Sequence, residues 1–162
     1  MNNKKHHIMK NLNQNITEEE LKSVPVNTAM NPYVSQTAEG KTIAFEGEEA
    51  IDKGEIRTFL FNSPKQVIEI ISHEFQAVCP FSGLPDVAKI VITYLPEGGK
   101  ALELKALKYY LGTFRNVGVY QERVNQIIYN DLKEALQTEK LKVTMSYNVR
   151  GGLYTTTTEG SL

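Results

Sequence analysis

Residues 87–114 read VAKIVITYLPEGGKALELKALKYYLGTF, and the hydrophobic period changes once within them. Val87–Leu95 is a β-branched run of the kind that forms a buried strand. Pro96–Lys100, PEGGK, is turn chemistry. Leu104, Leu107, Leu111 and Phe114 then follow at intervals of three, four and three, the stripe of an amphipathic helix. Upstream, Val67, Ile68, Ile70 and Ile71 make a second β-rich run before His73. Downstream, a second helix starts near Tyr120 and carries Val124, Ile127, Ile128, Leu132, Ala135 and Leu136 on one face. The short break at Asn116-Val117-Gly118 predicts an antiparallel helix pair. Leu141, Val143, Met145, Tyr147 and Val149 alternate faultlessly with polar residues, as in a half-buried strand. Arg150-Gly151-Gly152 interrupts it, and Leu153–Thr158 resumes a β-like run. The order strand, strand, helix, helix, strand, strand predicts an α+β fold, an antiparallel four-stranded sheet with two helices on one face. Open sheet edges are an association hazard unless paired, which predicts a ring or barrel-like oligomer.

The remaining composition sets bounds. The 162 residues suffice for one domain with a sizeable core but not for two comfortable ones. Eighteen Lys plus Arg against 19 Asp plus Glu leave a net charge of −1, which argues against sequence-independent nucleic-acid binding but permits a local anion site. A single Cys excludes an intrachain disulfide and a Cys-based zinc site. No apolar run reaches transmembrane length and the first ten residues lack a signal-like apolar core, so a cytoplasmic protein without membrane partners is expected. Residues 1–50 hold five lysines and seven glutamates with little apolar periodicity. They read as part of an N-terminal extension, residues 1–54, partly ordered, with one capped helical turn at Thr17–Leu21. Residues 55–162 are the expected catalytic domain.

Three groups of residues are candidates for chemistry. Cys79 lies in VCPFSGLPD (78–86), a rigid loop between two strands; it reads either as a buried structural thiol or as a nucleophile that needs a nearby cation or base to become a thiolate. Asp86, at the far end of that loop, is either an ordinary turn carboxylate or a proton-exchange partner. Glu103, Lys105, Lys108 and Arg115 lie along the first helix, where the lysines share a face. They form either a solvated surface or a compact phosphate site matched to one nucleotide, to which Arg150 could add a bidentate contact. Glu122 begins the second helix, where the helix dipole favours a carboxylate in any case. A carboxylate can also accept paired hydrogen bonds from the donor edge of a guanine-like ring, with strong discrimination. There is no G-x-G-x-x-G and no P-loop, and the adjacent His6 and His7 with a lone His73 give no metal-ligand spacing.

Together these residues resemble the NADPH-dependent 7-cyano-7-deazaguanine reductases, nitrile reductases of queuosine biosynthesis, over roughly residues 60–155. The likeness runs through Glu74-Phe75, Cys79-Pro80, Ser82-Gly83 and Pro85-Asp86. It continues through Glu103–Tyr110 (ELKALKYY), Phe114-Arg115-Asn116, Glu122, Asn125, Asn130-Asp131-Leu132 and Arg150-Gly151-Gly152. The resemblance implies the tunnelling fold, in which sheets join edge to edge in a ring and active sites lie between subunits. It implies that the Cys79 thiolate attacks the nitrile to give a thioimide, that Asp86 shuttles protons, and that NADPH supplies two hydrides. Leu102, Glu103, Leu104, Gln121 and Glu122 would bind the base, and Lys105, Lys108 and Arg150 the cofactor phosphates. No metal is implied.

Departures from the family pattern are Gln121 in place of the usual His, Leu84 in place of Gln, and Tyr109 in place of Leu. Gln121 can donate a hydrogen bond to a ring carbonyl but cannot carry charge or transfer a proton. Two competing readings remain. An amidine-forming relative acts on the same nitrile in tRNA but lacks the cofactor signature. A non-catalytic ring would merely bind a purine-like ligand.

Overall fold

The computed structural model describes residues 33–36 and 42–162; the capped turn predicted at Thr17–Leu21 lies outside the described residues. In chain order the strands and helices are β1 (Tyr33–Gln36), β2 (Thr42–Phe45), β3 (Thr58–Leu60), β4 (Ile68–Val78), β5 (Pro85–Tyr94), β6 (Lys100–Leu102), α1 (Leu104–Gly112), α2 (Gln121–Leu136), β7 (Leu141–Tyr147) and β8 (Thr156–Ser161). Single 3-10 turns occupy Glu48–Ala50 and Lys53–Glu55. The principal sheet is antiparallel throughout, in the order β4-β5-β7-β8. α1 packs against β4, and α2 against β7 and β8. This is the predicted α+β arrangement, with two helices on one face of four strands.

The central strands fill the core with one of their two period-two faces. Ile90, Ile92, Leu141, Val143 and Met145 are wholly buried and meet Val124, Ile128, Leu132 and Leu136 of α2. On α1 the structure corrects the predicted stripe. Leu104 is exposed, whereas Ala106, Leu107 and Tyr110 are buried. Tyr110 reaches across to α2, where its hydroxyl donates to Asp131 Oδ2 at 2.6 Å, so an aromatic with a satisfied polar tip replaces the expected leucine.

β4 is longer than the apolar run before His73 suggested. Its register shifts between Ser72 and Phe75, a bulge that breaks the alternation and hides the second half of the strand from a periodicity reading. The helix break is also longer, residues 113–120, because it carries bonds of its own. Val78 N–H donates to Val117 O at 2.9 Å, and Val119 N–H donates to Val78 O at 3.1 Å. On its other side Glu46 N–H donates to Asn116 O and Gly118 N–H to Glu46 O, both at 2.8 Å. Phe45 is 2% exposed and packs so tightly on Gly118 that a Cβ there would lie 2.2 Å from the ring. Residues 45–46 therefore brace the loop that in turn braces Val78, the neighbour of Cys79. Arg123 on α2 pairs with Glu48 at 3.0 Å and reinforces the same junction.

β1–β2 and β3–β6 are small antiparallel pairs. Strands of three or four residues are too short to show a period, which is why they were not expected. No described helix is long and apolar enough to cross a membrane.

Candidate active site

Cys79 sits at the end of β4 in a loop closed at both sides. Its N–H donates to Leu84 O at 2.9 Å, and Gly83 N–H donates to Cys79 O at 2.7 Å. Gly83 has φ +68°, a left-handed conformation that a β-carbon resists, so the glycine lets the chain double back to β5 within a few residues. Asp86, the second residue of β5, consequently pairs across the hairpin with Ala77, two residues before Cys79, and both Cys79 and Asp86 are buried.

A third strand end completes the group. β7 stops at Tyr147, and Arg150 and Leu153 exchange two backbone hydrogen bonds of 3.0 Å each. Gly151 and Gly152 between them have φ +56° and +83°, the pair of positive values that a tight primed hairpin turn requires. This turn holds Arg150 at the mouth of the Cys79 loop. Its Nη1 donates to Asp86 Oδ1 at 2.7 Å and its Nη2 to Cys79 Sγ at 3.3 Å. β8 starts only at Thr156, later than the predicted run, because the turn consumes the residues before it.

The electrostatics divide the two acids. Burial pushes the Cys79 thiol up, but hydrogen bonds from the Ser82 hydroxyl, the Arg150 guanidinium and the Ser82 and Phe81 N–H groups outweigh it. The thiol therefore ionises below the ordinary range. Asp86 moves the other way: burial raises it, Arg150 and the Gln121 side chain pull it down, Glu122 pushes it up, and the balance lies above the ordinary carboxylate range. The thiol is thus lowered and the carboxyl raised, opposite directions that suit a nucleophile and a proton donor. Gln121 is buried at the first turn of α2, where its carbonyl accepts from the Tyr147 hydroxyl at 3.2 Å. Glu122 is exposed beside it, and both Asp86 and Glu122 raise Tyr147 further above a phenol already raised by burial.

The other candidates lie elsewhere. Leu102 N–H donates to Tyr94 Oη at 3.0 Å, at the opposite end of β5 from Asp86. Eight residues of strand separate them, roughly 26 Å. Glu103 caps α1, its carboxylate accepting from Lys105 N–H at 2.9 Å and Ala106 N–H at 2.8 Å, while Leu104 stands exposed beside it. Lys108 pairs with Glu74 at 2.9 Å on the outside of β4. There a cavity of about 440 Å³ opens between β4 and α1, floored by Ile70, Ile92 and Leu107 and rimmed by His73, Lys108 and Arg115. Thus one chain brings Cys79, Asp86, Gln121, Glu122 and Arg150 together. Leu102, Glu103, Leu104, Lys105 and Lys108 form a separate group. Arg150 stands with the thiol rather than with the lysines to which the resemblance joined it. Ser82 and Tyr147 were not among the residues expected at the site; Ser82 is visible only as part of the loop, and Tyr147 reads as a core position. Among the described residues no group of three or more His, Cys, Asp or Glu is placed to hold a metal ion.

The family model described as QueF-like protein matches residues 85–161, the part of the chain from Asp86 and β5 through β8. A solved structure, the archaeosine synthase QueF-Like in the apo form, superposes with a TM-score of 0.56 over 62% of this chain and 96% of that one; at 21% identity it establishes the shared tunnelling fold. The sequence relatives are more specific. The chain is 50% identical over 125 residues to the NADPH-dependent 7-cyano-7-deazaguanine reductases of Thermotoga maritima and Thermotoga petrophila, across 77% of this chain and 91% of theirs. It is 42% identical over 111 residues to that of Thermoanaerobacter pseudethanolicus, across 67% and 83%. The chain belongs to the family of NADPH-dependent 7-cyano-7-deazaguanine reductases.

Proposed function

We propose that this chain reduces the nitrile of 7-cyano-7-deazaguanine to an aminomethyl group with NADPH, as an enzyme of queuosine biosynthesis in the cytoplasm. The observation that carries the reading is the guanidinium fork on Cys79 and Asp86, in a chain of this family. Cys79 as thiolate adds to the nitrile carbon, and a proton from Asp86 completes the thioimide nitrogen. Covalent capture divides a four-electron reduction into two steps. Two NADPH, bound in turn, would each supply one hydride. Cys79 would leave as thiolate after the first, and Asp86, reprotonated from solvent after each transfer, would pass the further protons to nitrogen. Gln121 offers a hydrogen bond to the ring carbonyl, and Glu122 accepts from the donor edge.

The cofactor fits the lysine group. Lys108 and Arg115, cations at the rim of an apolar-floored cleft, suit a ligand that is part ring and part phosphate. Lys105 and Lys108 are its phosphate contacts, with Arg150 within reach of a ligand that spans both groups. Leu102, Glu103 and Leu104 border the base.

The separation of the two groups along β5 supports active sites between subunits of a ring. So do two exposed apolar patches at opposite ends of the domain. Phe81, Leu84, Leu153 and Tyr154 surround the Cys79 end, and Phe59, Leu60, Leu104 and Tyr109 the Leu102 end. Head-to-tail pairing of unlike surfaces closes a ring and places the Cys79 group of one subunit against the lysine group of the next. Residues 1–54 are an extension whose last part, from Phe45, docks on the catalytic domain. No nucleic acid or membrane partner is invoked.

Incubation with the nitrile and NADPH tests this. Two NADPH oxidised per amine formed, lost in Cys79→Ala, is expected. A protein that binds the nitrile but leaves NADPH untouched would instead be a binding ring or an amidine-forming enzyme.

A further inference from the structure

We propose that Arg150 is a positioning residue that holds the Cys79 sulfur as a thiolate and keeps Asp86 in the same guanidinium fork, presenting nucleophile and proton donor as one unit before any ligand arrives. The proposal deepens the reading of the Cys79 site and rests on it. Geometry carries it: contacts of 2.7 Å to Asp86 and 3.3 Å to Cys79 from the two terminal nitrogens of one planar group fix the acid and the sulfur relative to each other. The Gly151–Gly152 turn fixes the backbone from which the arginine reaches. The remaining titratable groups near the sulfur are Asp86 on β5 and Tyr120 before α2, with Glu122 on α2 and Tyr147 on β7 behind Asp86. None of these can stabilise an anion by positive charge, so among the described residues Arg150 alone supplies it. The Ser82 hydroxyl adds a neutral hydrogen bond. A lysine in its place would supply charge without the fork.

Iodoacetamide alkylation of Cys79, followed by intact mass across pH, reads the thiolate directly. It needs neither nitrile nor cofactor, so a chain that failed to reduce the nitrile would still test Arg150. Arg150→Gln is expected to move the midpoint of the rate profile upward by about one pH unit, the scale of one charge-assisted hydrogen bond on a half-exposed guanidinium. At a pH below both midpoints that is about a tenfold slower alkylation. Arg150→Lys is expected to shift it by less, and serves alone if the glutamine variant does not fold. Folded variants with the wild-type midpoint would overturn the proposal, as would a lysine variant shifted as far as glutamine.

Discussion

The Cys79 end and the lysine end of the domain are built in opposite ways. At the first, the ends of β4, β5 and β7 and the start of α2 converge, and Cys79, Asp86 and Arg150 are already partnered within the chain. At the second, Lys108 pairs with an exposed Glu74, and the Glu103 carboxylate is taken up by the helix cap. The Cys79 group is thus preorganised by one chain, as the proposed capture step would need of its reacting atoms. On the proposed function the lysine group, which is open, would take a cofactor that comes and goes. Reaction and exchange would then make their different demands at different ends of the same strand.

The difference can be broken first at the acid. Asp86→Asn keeps the shape and the Arg150 contact but removes the exchangeable proton, so kcat should fall about a hundredfold or more while Cys79 alkylation persists. The pH dependences should diverge likewise. Alkylation rises with pH as the thiol ionises, whereas turnover declines once pH passes the raised pKa of Asp86 and its proton is lost. Parallel profiles would remove Asp86 from the proton path.

Mixed rings sharpen the comparison. Cys79→Ala chains and Lys105→Ala/Lys108→Ala chains are each expected to be poorly active, yet joint refolding should restore activity toward about a quarter of the sites, as random assortment of complementary neighbours predicts. No recovery would place both groups of a working site on one chain. The smallest effect lies at the brace. Gly118→Ala drives a Cβ into the Phe45 ring and should cost about 1–3 kcal/mol of stability, measured by denaturant unfolding. Phe45→Ala in the same chain should relieve the clash but leave the Cys79 loop less well held, with kcat reduced more than KM is raised.

Periodicity in the sequence carried the principal sheet and both helices, because β5, β7 and α2 are long enough to repeat and bury one face. It did not carry β1, β2, β3 or β6, which are too short. It also lost the second half of β4, where a bulge puts His73, Glu74 and Gln76 out of phase. Cys79 and Asp86 were legible as the two ends of one short loop, so their proximity needed only a hairpin. Arg150 was legible as a cation before two glycines but not as the partner of Cys79. That contact joins residues 71 apart, and only the pairing of β5 with β7 creates it. The brace at Phe45 was hidden for the same reason: a single phenylalanine in a polar stretch announces nothing until Gly118 is beneath it.

The central claim is that Cys79 captures the nitrile covalently, and intact mass after incubation with 7-cyano-7-deazaguanine without NADPH tests it most directly. The account predicts a gain of one substrate mass per chain, absent from Cys79→Ala and discharged as the amine when NADPH is added. Reduction that proceeds in the Cys79→Ala protein, with no adduct on the wild type, would contradict it.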